Sequence, residues 1–156
     1  MCKQMSNQHL IREYVADAFR TNRLGVLSTE GNGQPHASLV TITPMDDFVH
    51  LIFATYRNTA KYRNLMNNGK VAILFENRST KSLSQPDIVV ITAFGHAKEV
   101  DVAVSDSIRQ AHLLLHPELE SFLLDTECVL FRVNVNAYQM VRGINDIDWW
   151  YLHDSM

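Results

Sequence analysis

Between residues 24 and 55 the side chains alternate between apolar and polar with a period of two, and short polar turns, not helices, join the alternating runs. This feature constrains the fold more than any other. Strands that follow one another through tight turns pair antiparallel, whereas a parallel crossover needs about a dozen residues or more, usually a helix. Residues 24–28 form a first strand, and Glu30, Gly31, Asn32 and Gly33 make a turn tolerant of positive φ. Residues 35–43 form a second strand, with Ala37, Leu39 and Thr41 on one face and Ser38, Val40 and Ile42 on the other. Residues 44–47 turn the chain again, and residues 49–55 return as a third strand.

The flanking segments add helices and longer strands. Leu10, Ile11, Tyr14, Val15, Ala18 and Phe19 give residues 9–21 one apolar helical stripe, with Ser6 or Asn7 as its cap. A second helix is predicted over residues 60–67, capped by Asn58 or Thr59 and stopped by Gly69. Residues 71–76 read as a fourth strand, 77–87 as a long polar loop, and 88–100 as a fifth strand with Gly95 as a bulge. Residues 105–115 are helical, and Pro117 opens a further turn or two over 117–124. A sixth strand covers 128–141, and the chain closes on a short aromatic segment at 148–152. Six mostly sequential strands with small helical inserts predict a mainly β (α+β) single domain over 1–156, an antiparallel barrel whose closure removes sheet edges.

Charge and cysteine content exclude several function classes. Among 156 residues the formal net charge is −3, so no basic field is available to track a nucleic-acid backbone or an anionic membrane. The longest apolar stretches fall short of the roughly 18 residues of a membrane span. Cys2 and Cys128 share no metal-type or redox-type spacing, and residues 1–8 lack the pattern of a signal peptide. A cytoplasmic protein that contacts neither nucleic acid nor membrane is expected. Any anion it binds must be held by a local cluster.

One stretch supplies such a cluster. In residues 53–65 a strand ends, a polar turn follows, and a helix begins with free N–H groups. Arg57, Lys61 and Arg63 lie within a turn or two of that helix start, with Thr55 and Thr59 beside them. Cations ordinarily favour the other end of a helix, and their crowding here points to a bound phosphate. An ordinary cap with a solvated basic face is the competing reading.

The run Gly33-Gln34-Pro35-His36-Ala37-Ser38-Leu39-Val40, the Thr55…Thr59-Ala60-Lys61 turn, and the strand that follows resemble the pyridoxamine 5′-phosphate oxidase-like family of FMN-binding split barrels. So do Glu76-Asn77-Arg78-Ser79, residues 91–97 and residues 116–119, giving an ordered likeness over roughly 9–142. The resemblance implies a split barrel that binds FMN between the subunits of a homodimer. It implies that Ser38, Leu39, Val40 and Thr41 lie beside the ring or ribityl chain, and that Thr55, Thr59 and Lys61 hold the phosphate with help from Arg57. It implies that Asn77, Arg78 and Ser79 approach the flavin from the polar loop, which reaches toward the second subunit. Ala60 stands where the vitamin-phosphate oxidases carry arginine, and Trp149, Trp150 and Tyr151 replace their charged C-terminal segment. A substrate other than the vitamin phosphate is expected.

The remaining polar residues carry weaker signals. His112 and His116 are four apart on a helix without an intervening glutamate, which reads as a packed pair; no metal site is expected. His36, His50, His96 and His153 are scattered, and one of them as a haem ligand is a minor alternative. Asp46 with Asp47, and Asp146 with Asp148, read as turn residues. The sequence therefore predicts an FMN-dependent oxidoreductase acting through flavin N5 on a small donor or substrate, with unassigned catalytic side chains. A non-catalytic flavin- or haem-binding protein is the rival.

Overall fold

The structure, a computed structural model, describes residues 2–79 and 87–152. Helix α1 (Cys2–Thr21) precedes four strands, β1 (Leu24–Gly31), β2 (Gln34–Thr41), β3 (Thr43–Met45) and β4 (His50–Tyr56). Then come α2 (Ala60–Asn67), β5 (Lys70–Ser79), β6 (Asp87–Glu99) and α3 (Val102–Leu115). A single 3₁₀ turn (Pro117–Leu119), α4 (Glu120–Leu124), β7 (Cys128–Arg142) and β8 (Asp146–Tyr151) complete the chain. All pairings are antiparallel, in the order β2-β1-β5-β6-β7-β4-β3, with β8 added to β7.

The sheet curls into a split barrel of eight strands, where six were predicted. One extra strand arises because the predicted 35–43 run breaks at Ile42 into β2 and β3. Ile42 donates its N–H to Arg23 O at 2.8 Å instead of to a strand neighbour. The two ends of the sheet order are thus consecutive in sequence. The other extra strand is β8: the aromatic segment starts earlier than expected and pairs with β7 from Arg142↔Asp146 to Ala137↔Tyr151. Asp146 and Asp148 are therefore strand residues and not turn residues; both answer Arg142, with Asp148 Oδ2 at 3.0 Å.

The interior explains why these segments form strands. Leu51, Phe53, Phe131, Val133 and Val135 point inward at alternate positions, and α1 plugs the barrel with Ile11, Val15, Ala18 and Phe19. The opposite faces of β4 and β7 are also covered: Ile52, Leu130 and Cys128 pack under Ile108 and Leu123 of α3 and α4. β4 is apolar on both faces for that reason. Among the described residues no helix is long and apolar enough to cross a membrane.

Several boundaries depart from the sequence reading. Helix α1 runs back through Ser6 and Asn7, so neither is its cap. The β1–β2 turn needs only Asn32 (φ 52°) and Gly33 (φ 81°), the pair of positive φ angles that suits a two-residue hairpin. Pro44 and Met45 belong to β3, and the next turn instead carries Asp46, Asp47 and Phe48 at φ 51°, 57° and 69°. Gly69 is not a left-handed helix stop, because Asn68 is the C-cap of α2. Gly69 is needed for close approach: a Cβ there would lie 2.7 Å from Ala97 O. The predicted polar loop shortens at both ends, since Asn77 to Ser79 continue β5 and Asp87 begins β6. Residues 80–86 lie outside the described residues. Gly95 does sit at the β6–β7 bulge, where a side chain would strike Asn134 O.

Candidate functional site

Strand β4 ends at Tyr56 and the chain turns directly into α2. Thr59 caps that helix with extended backbone (φ −100°, ψ 155°). Its Oγ1 accepts from Tyr62 N at 3.3 Å and donates to Tyr56 O at 2.9 Å. Thr55 is buried, with its Oγ1 3.0 Å from Thr59 Oγ1. Both hydroxyls are thus occupied in shaping the turn. The groups left over are the N–H donors of Ala60 and Lys61, which have no acceptor among the described residues, and the Lys61 ammonium.

Lys61 is half-buried, and burial alone pushes its ammonium below the usual lysine range. No carboxylate of the described residues offsets that desolvation. A partly desolvated charge near two N–H donors without an acceptor is an arrangement chemically able to hold an anion.

Lys61 and Thr59 open onto a cleft of about 190 Å³. Leu39, Val40 and Thr41 of β2 form one wall, Ala54, Thr55 and Tyr56 the next, and His112, Leu119 and Phe122 the third. Six of the residues singled out in the sequence therefore share one cleft: Leu39, Val40, Thr41, Thr55, Thr59 and Lys61. They are brought together because the exposed edge strand β2 and the end of β4 flank the barrel seam.

The other candidates are placed elsewhere. Arg57 turns away, donating to Tyr62 Oη at 3.1 Å and pairing with Glu99 at 3.4 Å. Its guanidinium lies 5.8 Å from the Tyr62 ring centre. Ser38 is on β2 but does not line the cleft, and its buried Oγ has no partner among the described residues. Asn77 is buried on β5 and donates to Asp17 of α1 at 2.9 Å. Arg78 and Ser79 continue β5 as backbone, and their side chains lie outside the described residues.

His112 is the cleft residue that sequence reasoning missed. Ile108, His112 and His116 follow one another at four-residue spacing and form the buried stripe of α3 and its C-cap, while the intervening Leu114 is exposed. The spacing reads as a packed pair, and both rings are buried; that His112 also borders the cleft follows from the packing of α3 and not from the spacing. His112 Nδ1 lies 2.7 Å from Thr43 Oγ1, and His116 Nε2 donates to Ile42 O at 3.0 Å. The rings stand 4.8 Å apart. Burial, followed by repulsion from His116, pushes His112 down to about 4. His116 is shifted the same way, first by burial. Both imidazoles are neutral near pH 7. The indoles divide: Trp150 stacks on buried Tyr138 at 5.3 Å, while Trp149 joins Phe94 and Tyr151 in a partly exposed aromatic row.

Solved structures share this architecture. A heme binding protein from Mycobacterium smegmatis superposes with a TM-score of 0.77 at 19% identity, over 93% of this chain and 57% of that one. The present chain thus spans little more than half the length of that neighbour. The General Stress Protein 26 of Bacillus anthracis gives 0.68 at 21% identity, covering 91% of this chain and 98% of its own. A FAD-binding protein from Mesorhizobium loti gives 0.67 at 15% identity, over 85% and 94%. At such identities the likeness is one of fold. No match is found among curated proteins. The family model described as pyridoxamine 5′-phosphate oxidase, however, matches residues 11–121, a span from within α1 to the start of α4 that includes every residue lining the cleft except Phe122. By that match the chain belongs to the pyridoxamine 5′-phosphate oxidase family.

Proposed function

We propose that this protein binds FMN and uses it to pass hydride or electrons between small molecules in the cytoplasm. The observation that carries the proposal is Lys61, a half-buried ammonium without a carboxylate partner among the described residues, beside the open N–H groups of α2. Those groups would take the phosphate, and Leu39, Val40 and Thr41 would flank the ribityl chain and ring edge. Bound FMN would supply redox chemistry at its N5. The chain's own contribution is to neutralise the phosphate, fix the ring's direction and exclude water from one side. Asn77, Arg78 and Ser79 remain proposed flavin neighbours, although Asn77 is directed toward α1.

The cleft also argues for a homodimer. A volume of about 190 Å³ suits a phosphate and part of its chain but leaves the flavin ring outside. Beside it, Leu39, Val26 and Leu74 occupy paired positions across β2, β1 and β5 and are exposed. An apolar row of that kind suits a second copy covering the ring. Light scattering at micromolar concentration should give a dimer. A monomer that still holds FMN tightly would remove the shared-site reading.

The phosphate assignment is tested by titrating FMN and riboflavin against wild type and Lys61→Ala. The substitution should weaken FMN by about 1.5–3 kcal/mol, the range of a charge-assisted hydrogen bond, and leave riboflavin nearly unchanged. Equal losses for both flavins would show that Lys61 acts through folding. A Soret band on haem addition, with no uptake of FMN, would replace the flavin by haem.

A further inference from the structure

We propose that His112 is a fixed hydrogen-bond donor to the ligand's phosphate, making it a specificity-determining residue of the cleft. The proposal rests on the flavin-phosphate reading and adds a contact on the wall opposite Lys61. Its starting point is an unmatched polar atom. His112 is 1% exposed and lines the cleft, and its Nε2 is buried without a hydrogen-bond partner among the described residues. An unmatched buried atom of this kind keeps its desolvation cost, so a ligand that answers it recovers free energy.

The hydrogen bond at the other ring nitrogen decides what Nε2 offers. Nδ1 faces Thr43 Oγ1 at 2.7 Å, and Thr43 is itself 3% exposed. If Nδ1 carried the proton, the Thr43 hydroxyl hydrogen would have no acceptor among the described residues. If the hydroxyl donates to a bare Nδ1, both groups are satisfied and the ring proton sits on Nε2. The neighbouring histidine does not compete for this proton. His116 spends its Nε2–H on Ile42 O, so consecutive residues at the barrel seam hold consecutive histidines. His112 therefore carries, on a residue that lines the cleft, an N–H with no acceptor among the described residues, and an N–H is complementary to an oxyanion.

Both walls belong to one cleft of about 190 Å³, lined by Thr59 and Lys61 on one side and by His112 on another. Lys61 and the α2 N–H groups answer one side and His112 the other. Leu119 and Phe122 fill the space beside His112 and offer the anion nothing. A neutral polyol end, such as that of riboflavin, would leave the Lys61 ammonium uncompensated.

The test measures flavin fluorescence quenching for wild type, His112→Phe, His112→Gln and Thr43→Val. His112→Phe should weaken FMN roughly 10- to 100-fold and riboflavin less than about 2-fold. His112→Gln, whose amide N–H reaches a similar position, should recover most of the loss. Thr43→Val frees the ring proton to redistribute and should weaken FMN several-fold while leaving riboflavin unchanged. Equal losses for both flavins, or none, overturn the proposal; if Lys61→Ala still separates FMN from riboflavin, the flavin-phosphate reading survives that failure. A second measurement needs no variant. In wild type with ¹⁵N-labelled histidine, His112 should carry its proton on Nε2, and that resonance should move on adding FMN or inorganic phosphate. A proton on Nδ1, or an Nε2 signal that neither ligand moves, overturns the proposal. Should wild type bind no FMN, the flavin reading falls, and the response of Nε2 to inorganic phosphate then decides the oxyanion contact alone.

Discussion

Two regions of this molecule hold groups in unfavourable states, and they are treated in opposite ways. In the β3–β4 turn, three consecutive non-glycine residues adopt positive φ, an arrangement that costs of order 1 kcal/mol or more at each position. Every one of them is fastened. Asp46 meets His50 Nδ1 at 2.5 Å, Asp47 pairs with Arg12, and Phe48 stacks on Phe19 while its carbonyl accepts from Tyr138 Oη at 2.6 Å. In the cleft, by contrast, Lys61, two backbone N–H groups and His112 Nε2 are desolvated or unmatched within the described residues. The turn's strain is offset inside the chain. The cleft's is not offset among the described residues, which is the contrast on which the proposed binding site rests.

The largest expected effect tests the cleft side through acid. His112 titrates at about 4 in the folded protein against 6.5 for an unperturbed histidine. The unfolded chain therefore binds a proton first, and stability present above pH 6.5 is lost as pH falls toward 4. Up to about 3 kcal/mol is at stake, visible as a falling urea midpoint between pH 7 and pH 4.5. His112→Gln should flatten that part of the profile. An unchanged profile would show that His112 is not the buried neutral group described above.

On the turn side, Tyr138→Phe leaves the Phe48 carbonyl without its donor in a strained segment. A loss of about 1–3 kcal/mol by urea denaturation is expected, with FMN affinity untouched. A loss below about 0.5 kcal/mol would mean the turn does not depend on that bond. The smallest effect should have the opposite sign. Lys61→Met removes a charge that burial disfavours and keeps the stem, so thermal stability in the absence of ligand should rise slightly while FMN binding collapses. A fall in stability would place an internal partner on Lys61 and erase the contrast between the two regions.

How far the sequence foretold this arrangement depends on which interactions are local. The meander, α2 with its Thr59 cap, and the Gly95 bulge were legible because periodicity, capping and glycine chemistry act within a few residues. Thr55, Thr59 and Lys61 were legible for the same reason, since the β4–α2 turn carries its own pattern, whereas Leu39, Val40 and Thr41 came only with the family resemblance. The split of 35–43 at Ile42 was not, because Arg23 and His116 impose it from distant positions. Nor was β8: its register depends on β7 and on Arg142, and nothing local distinguishes it from an aromatic tail. The partners of Arg57 were not legible either, since Glu99 reaches it from the end of β6 while Tyr62 takes its N–H from α2. His112 acquired its meaning only when α3 was laid against the seam.

That seam has a consequence for how the chain can be cut and rejoined. The sheet's first and last members in space are neighbours in sequence, joined through Ile42 alone. The two margins of the barrel are thus joined by the chain itself and not by a β2–β3 ladder. A circular permutant opened at Ile42 would retain nearly every strand pairing yet become an open ribbon with two bare margins, prone to add a strand from another molecule. Permutants opened at the Asn32-Gly33 hairpin would keep that join and remain closed. Where the ends of this chain are moved therefore decides whether it stays a container or becomes a template for polymerisation.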